Sequence, residues 1–184
     1  MTFDFAKIKS KKDLTPDVLG AIFDNFAPAI YKYAFRLCRD SVEADHIVGD
    51  VFSTLLEQLA VGKGPETNLR AYLYQIAYHK VVDHARERQR TTPIDDNAPE
   101  RYASSVASRV EDQILLDALD SAIHNELTDD QRQVIILRFQ ESFSLRETAR
   151  IMGRNVNVVK VLEHRGLKKL RQILNNVRQE EEEW

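Results

Sequence analysis

The sequence predicts an all-α protein built from two small helical domains joined by a flexible linker. Glycine and proline are scarce, at 6 and 5 of 184 residues. Neither runs of β-branched residues nor strict alternation of apolar and polar residues is prominent, so strands are not indicated. Apolar residues make up 43% of the chain and recur with a helical period in several separate stretches. That pattern is typical of amphipathic helices around a core.

The N-terminal domain is predicted over residues 16–90, behind a polar and basic arm at residues 1–15. Thr15 followed by Pro16 is typical of a helix start, because threonine caps the first turn and proline fits within it. The first helix then keeps its apolar period, with Pro28 as a candidate kink or break.

A second helix is predicted over about residues 42–59, and the breaker-rich stretch 61–65 ends it. Cys38, the only cysteine, lies in an apolar pattern just before this helix. An intramolecular disulfide is therefore excluded, and a core position is predicted. The predicted inward side chains of the second helix are Ile47, Val51, Phe52, Leu55, Leu56 and Leu59.

The third predicted helix, about residues 68–90, interleaves tyrosines with basic and amide side chains and has a strongly basic end. Basic groups among aromatic rings can hold a phosphate backbone while the rings stack on unpaired bases. Alternatively, the tyrosines pack in the core and the arginines favour the helix C-terminus. The residues alone leave both interpretations open.

Residues 91–109 are polar and rich in helix breakers, which predicts the linker. The second domain is predicted over residues 110–176, followed by an acidic tail at residues 177–184. It begins with a helix over about residues 110–125. Thr128 then caps another helix whose predicted buried residues are Val134, Ile135, Leu137 and Phe139.

Residues 144–170 predict two short helices joined by a tight turn, the pattern of a helix-turn-helix. Ser144 and Glu147 have the spacing of a capping box, and Gly153 stands where the turn needs a positive φ. Asn155 can cap the second helix, whose predicted inward residues are Val158, Val159, Leu162 and Leu170. Its exposed face carries Lys160, His164, Arg165, Lys168 and Lys169, and suits a DNA groove.

The net charge of −3 argues against indiscriminate coating of nucleic acid, but the charge is unevenly distributed. Residues 111–130 hold seven acids and no lysine or arginine, whereas residues 141–178 hold nine bases against three acids. No apolar run approaches a membrane span, and the start of the chain does not look like a signal region. A cytoplasmic protein without a membrane partner is therefore predicted.

Three stretches, in this order, resemble the extracytoplasmic-function group of bacterial RNA polymerase sigma factors. Residues 36–52 are similar to region 2.2 of that family, and residues 68–77 with Asp83 are similar to regions 2.3 and 2.4. Residues 127–138, followed by the helix-turn-helix, are similar to region 4. The resemblance covers about residues 16–174.

This resemblance implies a transcription initiation factor that binds the clamp and flap of core RNA polymerase and directs it to promoters. Region 2 would recognise and melt the −10 element, and region 4 would read the −35 element as duplex. Because nucleotide addition stays in the polymerase, the factor itself would be no enzyme and need no cofactor. A monomer outside the polymerase complex is expected, and an anti-sigma factor is a plausible further partner.

The resemblance also implies roles for residues. The −35 duplex would be met by Arg146, Asn155, Asn157, Lys160, Val161, His164, Arg165 and Lys168. The melted −10 strand would be faced by Asn68, Arg70, Tyr72, Tyr74, Gln75, Tyr78, Lys80, Arg86 and Arg88. The polymerase clamp would be bound by Asp45, Ile47, Asp50, Val51 and Phe52, and the loop at residues 62–67 would form a pocket wall for a flipped base.

Some residues depart from the family pattern. Arg154 stands where an apolar residue is common, and Val161-Leu162 stand where Ser-Arg is common, which bears on the bases that are read. The acids of residues 111–130 would repel DNA, so they should face solvent, polymerase or a regulator.

Two rival interpretations remain. An ordinary helix-turn-helix regulator acting as a dimer would explain residues 144–170 but not the aromatic and basic third helix. A metal site could use the pairs His46–Asp50 and His79–Asp83, but neither has a third ligand at a telling distance, so no metal is predicted.

Overall fold

The computed structural model describes residues 15–65, 68–91 and 110–182, which fall into two compact units within residues 1–100 and 101–184. Regular structure in the described residues is entirely helical, which confirms the all-α prediction. The first unit contains α1 (Pro16–Cys38), α2 (Ser41–Ala60) and α3 (Leu69–Thr91). The second contains α4 (Val110–Asn125), α5 (Asp129–Ile135), a π-helical turn (Ile136–Gln140), α6 (Leu145–Ile151) and α7 (Val156–Glu182).

Several predicted segments lie partly or wholly outside the described residues. These are arm residues 1–14, loop residues 66 and 67, linker residues 92–109 and the last two residues of the acidic tail. Of the predicted tail, the backbone of residues 177–182 continues α7. Among the helices of the described ranges, none combines the length and the apolar character needed to cross a membrane.

The first helix begins as predicted, because the Thr15 hydroxyl accepts a hydrogen bond from the Val18 amide. Of the two alternatives predicted at Pro28, a kink or a break, the break is wrong, since α1 continues through this residue. Pro28 is exposed, so the carbonyl that loses its helical partner lies on the side of the helix open to water. The helix ends at Cys38, where Arg39 adopts a left-handed φ of 56° and Asp40 caps α2.

The core of the first unit is packed from the facing sides of α1, α2 and α3. Its largest fully buried side chains include Ile22, Ile30, Tyr33, Ile47, Leu55, Leu59, Leu73 and Tyr74. Leu56, predicted to be inward, is 44% exposed, and Phe52 is only partly buried. Leu56 lies beyond the strip of α2 that α1 and α3 cover, whereas Phe52 lies at the edge of that strip, where its ring contacts that of Phe23 on α1.

In the second unit, one guanidinium joins α4 to α5. Arg132 donates hydrogen bonds to the carbonyl oxygens of Ile123, His124 and Leu127, at the C-terminal end of α4. Carbonyls at a helix end lack helical partners, so Arg132 satisfies them and closes the corner between the helices. Thr128 forms a capping box with Gln131, which confirms the predicted start of α5.

A π-helical turn follows α5, with the Glu141 amide donating to the Ile136 carbonyl at 2.9 Å. The wider turn inserts an extra residue into the helical repeat, which shifts the side chains that follow. Ile136 and Leu137 are buried, but Phe139, predicted to be inward, is 51% exposed. The prediction failed because it assumed an α-helical period throughout.

The helix-turn-helix has the predicted local chemistry. Ser144 and Glu147 form a capping box, and Gly153 adopts a φ of 59° in the turn. The second helix is not short as predicted, however: α7 runs for 27 residues. Val158, predicted to be inward, is 45% exposed, whereas Val159 is fully buried.

Candidate nucleic-acid interface

The two long sides of α7 differ sharply. Val159, Gly166 and Leu170 are buried and face the rest of the second unit. A β-carbon added to Gly166 would lie 3.2 Å from Ile135 Cγ1, so α7 approaches α5 closely there. The outward side is therefore fixed by packing, and it carries the exposed residues Asn157, Lys160, Val161, His164, Arg165 and Lys168. The structure brings these predicted −35 residues together.

The same outward side continues beyond the predicted interface. Arg171 is exposed and lies one turn after Lys168 and two turns after His164. Arg171 was not among the predicted residues, because the second helix was predicted to end at Leu170. Extending the spacing of His164 and Lys168 by one turn would have found it.

The other two predicted −35 residues sit at helix starts. Arg146 is exposed in the first turn of α6. Asn155 lies just before α7, where its side-chain oxygen accepts a hydrogen bond from the Asn157 amide at 2.8 Å. The Asn155 oxygen is therefore used for capping, which leaves its amide group as the part suited to an outside partner.

Two basic residues next to this face are engaged within the unit. Arg154, which departs from the family pattern, pairs with Asp130 of α5 at 3.3 Å. Lys169 pairs with the Glu126 carboxylate at 3.2 Å and also donates to the Glu126 carbonyl oxygen. These contacts also show that acids at the C-terminal end of the acidic segment are partly neutralised by bases of the same unit.

On α3, two of the predicted strand-facing tyrosines belong to the core. Tyr74 is 0% exposed and its ring centroid lies 5.2 Å from that of Tyr33, while Tyr78 is also buried. Neither ring can stack on a nucleotide in this conformation, so the prediction that they face the melted strand is wrong. The physical reason is that the apolar side of α3 is built partly from aromatic rings, as the alternative interpretation held.

Basic residues of α3 also form ion pairs with acids of α2. Lys80 Nζ lies 3.6 Å from Asp50 Oδ2, and Arg88 lies 2.8 Å from Glu43 Oε2. His84, between them on α3, lies 3.4 Å from Asp50 and 3.9 Å from Glu43. The predicted strand contacts Lys80 and Arg88 are thus paired with acids of α2, one of which, Asp50, is a predicted polymerase contact.

The outward side of α3 is formed by a different set of residues. Tyr72, Gln75, His79, Arg86 and Arg90 follow one another at helical spacing and are exposed or half-buried. Burial raises the pKa of Tyr72 above its ordinary value. His79 and Arg90 were missed as site residues because the prediction followed the tyrosines, and not the residues that share one side of the helix.

Two further predicted contacts lie at the start of α3. Asn68 caps the helix by accepting a hydrogen bond from the Ala71 amide at 3.3 Å. The Arg70 guanidinium lies 5.1 Å from the centre of the Tyr74 ring, within range of a cation–π contact. Both side chains are therefore tied to α3 itself.

The predicted clamp contacts on α2 divide into two groups. Ile47 and Val51 are fully buried, so their assignment to a docking surface is wrong: they are core residues. Asp45 is exposed, Asp50 is half-exposed, and the Phe52 ring contacts that of Phe23 at 4.8 Å. The outer side of α2 adds two exposed apolar residues that the prediction missed, Val42 and Leu56.

Within the described residues, no group of three or more histidine, cysteine, aspartate or glutamate side chains could hold a metal ion. The acids of the two candidate His–Asp pairs have other partners: Asp50 contacts His84 and Lys80, and Asp83 contacts Arg86. Cys38 is buried and donates to the Asp40 carbonyl oxygen at 3.4 Å. Burial raises the pKa of its thiol to about 11.

Comparison with known proteins accounts for both units. The profile described as Sigma-70 region 2 matches residues 22–91, and that described as Sigma-70, region 4 matches residues 125–172. The ECF RNA polymerase sigma factor ShbA of Streptomyces griseus is 30% identical over 159 residues, covering 77% of this chain and 82% of ShbA. The chain belongs to the sigma-70 family of RNA polymerase sigma factors, in the extracytoplasmic-function group.

Other sigma factors support this membership. BldN of Streptomyces coelicolor is 28% identical over 165 residues, covering 86% of this chain but only 61% of BldN. The solved structure of RpoE from Bartonella quintana, determined in complex with the anti-sigma factor NepR, has the same fold: it aligns with a TM-score of 0.69 at 22% identity, over 88% of this chain and 98% of that one.

The family assignment also weighs against the rival interpretation. A dimeric helix-turn-helix regulator would account for region 4, whereas the region 2 match spans α1 from Ile22, all of α2 and all of α3. That rival is not favoured.

Proposed function

We propose that this sigma factor binds core RNA polymerase and directs it to promoters, with region 4 reading the −35 element and region 2 recognising and melting the −10 element. The observation that carries this proposal is the pair of family matches on two separate helical units, each with a polar outward helix face. The polymerase supplies the chemistry, so the factor acts without catalysis or cofactor of its own, and it works in the cytoplasm where the polymerase is.

In region 4, α7 enters the major groove of the −35 duplex with its outward side. Lysine and arginine at phosphates supply affinity, whereas side chains that reach base edges supply sequence choice. Asn157 and Lys160 lie in the first turns of α7, where the base edges are read. His164, Lys168 and Arg171 extend the contact along the same side.

In region 2, α3 presents its outward side to the melted strand. Tyr72 is the tyrosine of the predicted set that remains partly exposed, so it takes the stacking role that burial denies to Tyr74 and Tyr78. Gln75 and His79 provide hydrogen-bonding groups beside it. Arg86 and Arg90 provide positive charge for the backbone.

The outer side of α2 is the proposed docking surface for the polymerase clamp. It combines the acid Asp45 with the exposed apolar residues Val42 and Leu56 and the half-buried Phe52. An apolar anchor beside a wet polar edge is the usual anatomy of a protein interface. Asp50 lies at the edge of this surface, and its carboxylate contacts Lys80 and His84 of α3.

An anti-sigma factor that sequesters the protein is a further proposed partner. The similar sigma factor RpoE was solved in complex with such a regulator, NepR, which supports this proposal. The regulator would act by covering either of the two polar faces. Free of such a partner, the factor is proposed to be a monomer.

The proposal is tested by transcription in vitro with purified core polymerase, this protein and fragments of the source genome. Transcripts that start at defined sites only when the protein is present support it. Failure of the protein to bind core polymerase, with selection of palindromic DNA by a dimer instead, would overturn it in favour of the regulator. Light scattering of the free protein provides the accompanying measurement of oligomeric state.

A further inference from the structure

In region 4, the Arg138 guanidinium joins α7 to the segment that precedes α6. Arg138 Nε lies 2.7 Å from Glu163 Oε2 in the middle of α7. The same Arg138 side chain donates to the carbonyl oxygen of Phe143, immediately before the cap residue of α6. Arg138 therefore contacts the segment that starts the first helix of the motif and the body of the second.

The surroundings shield this pair from water more than an ordinary surface contact. The side chains of Arg138 and Glu163 are 23% and 19% exposed. The nearby pair between Arg154 and Asp130 is 48% and 44% exposed, so water screens it much more. A short charge-assisted hydrogen bond that is shielded from solvent is directional as well as strong.

Arg138 lies within the π-helical turn. Its wider turn leaves the Phe139 ring exposed while Arg138 reaches inward to α7 and to Phe143. π-helical turns occur frequently at functional sites. Here one polar side chain of the turn links α7 to the segment that precedes α6.

The ion pair adds to the apolar packing of α7 a directional restraint that matters for reading DNA. Gly166 lets α7 lie close to Ile135 of α5, and Val159 is buried within the unit. These contacts determine the distance between α7 and α5. A hydrogen bond weakens steeply as its angle departs from linear, so the Arg138–Glu163 contact resists rotation of α7 about its own axis in addition to this packing. Glu163 lies one residue before His164 and three after Lys160, so fixing Glu163 fixes the rotation of both.

We propose that Arg138 and Glu163 are positioning residues for sequence readout: their ion pair sets the rotation of α7, and hence which base edges its outward side reaches. This inference rests on the proposed −35 role of region 4. The two residues touch no base themselves. Their effect is on the discrimination between sequences more than on affinity for DNA in general.

The test compares two substitutions that remove the same charge. Glu163→Gln keeps an oxygen that can accept from Arg138, whereas Glu163→Leu fills similar space without an acceptor. Since both variants change the field at the DNA equally, a difference between them reports the hydrogen bond. Arg138→Met and the double variant Arg138→Met/Glu163→Leu complete a double-mutant cycle.

The measurement uses holoenzyme assembled from core polymerase and full-length factor. The probe is a promoter found by factor-dependent transcription, compared with the same promoter after replacement of its −35 element. For each factor variant, the ratio of the two affinities gives the discrimination. Thermal unfolding of every variant separates loss of folding from loss of readout, and Asp130→Asn at the exposed pair is the matched control.

We expect Glu163→Leu to lower the discrimination roughly tenfold, the scale of one specific base contact, while Glu163→Gln stays within about twofold. The double variant should discriminate no worse than Arg138→Met alone, because both changes break the same link. Equal behaviour of the Gln and Leu variants would overturn the inference and leave the proposed function intact. If the wild-type holoenzyme ignores its −35 element, the proposed role of region 4 fails, and the positioning role fails with it.

Discussion

The rings of Tyr33 and Tyr74 pack against each other in the core of region 2, with their centroids 5.2 Å apart and their planes inclined by 56°. Both side chains are fully buried. Tyr74 therefore supports the fold of the helix that the family resemblance assigned to DNA.

Replacing Tyr74 by alanine should destabilise region 2 by about 3–5 kcal/mol, because it removes a buried ring and leaves a cavity. Tyr74→Phe keeps the ring and should cost much less. Urea unfolding measured by circular dichroism gives the free energies.

Tyr72→Ala is the matched control, since Tyr72 is only half-buried and belongs to the outward side of α3. That variant should lose promoter opening, seen as reduced permanganate reactivity of melted thymines, with little loss of stability. Full stability of Tyr74→Ala together with failure to open promoters would contradict the core assignment.

Replacing Gly166 by leucine should destabilise region 4 by about 1–3 kcal/mol through overpacking, because even a β-carbon there would lie 3.2 Å from Ile135. Gly49→Ala is the control for helix propensity, since nothing lies within 4 Å of a β-carbon at that exposed position of α2. That change should stabilise α2 by about 0.5–1 kcal/mol. A Gly166→Leu protein that unfolds at the wild-type urea concentration would show that α7 does not pack on α5 in this way.

Thr148 has a fully buried hydroxyl for which the described part of the chain offers no hydrogen-bond partner. Thr148→Val replaces that hydroxyl by a methyl group of similar size, so it should stabilise region 4 by about 1 kcal/mol. Thr148→Ser keeps the hydroxyl and removes the methyl group, so it should destabilise. Thermal unfolding of the two variants beside the wild type compares them, and a reversed order would mean that the hydroxyl is hydrogen-bonded in solution.

Burial of Cys38 makes stability depend on pH in the alkaline range. Folding raises the pKa of the thiol from 9.0 to about 11, so the native state keeps a proton that the unfolded chain loses between these values. Because the native state binds more protons there, the free energy of unfolding falls as pH rises from about 9 to about 11. Cys38→Ala should flatten this part of the curve. Identical slopes for the two proteins, from urea unfolding at several pH values, would count against a buried thiol.

The local chemistry of the sequence predicted much of this fold because caps and turns depend on a few adjacent residues. Thr15, Thr128 and Ser144 act as caps through hydrogen bonds to their own first turns, and Gly153 takes the left-handed conformation that the turn needs. These features need no knowledge of distant packing.

Tertiary packing decided what the sequence could not. The tyrosines of α3 look alike in the chain, yet Tyr74 meets Tyr33 of α1 while Tyr72 stays partly open to solvent. The sequence alone could not show that Lys80 and Arg88, both predicted DNA contacts, have acids of α2 beside them. Phe139 was predicted to be buried from an α-helical period, which the π-helical turn interrupts. Each error arose where a side chain's partner is remote in sequence or where the helical period changes.

The basic residues near the end of the outward side of α7, the proposed −35 contact, should differ according to their partners within region 4. Lys168 and Arg171 are exposed on the outward side of α7, whereas Lys169 pairs with Glu126. Each of Lys168→Ala and Arg171→Ala should weaken binding of holoenzyme to the −35 element and reduce the salt slope by about one phosphate contact. Lys169→Ala removes the same charge from the neighbouring position but should change the slope less, because that lysine faces α4 and is already neutralised. Affinity measured over a range of salt concentrations separates the three variants. Equal losses of affinity for all three variants would contradict this prediction. They would show that the total positive charge of α7, and not the position of each side chain, determines how tightly region 4 binds the duplex.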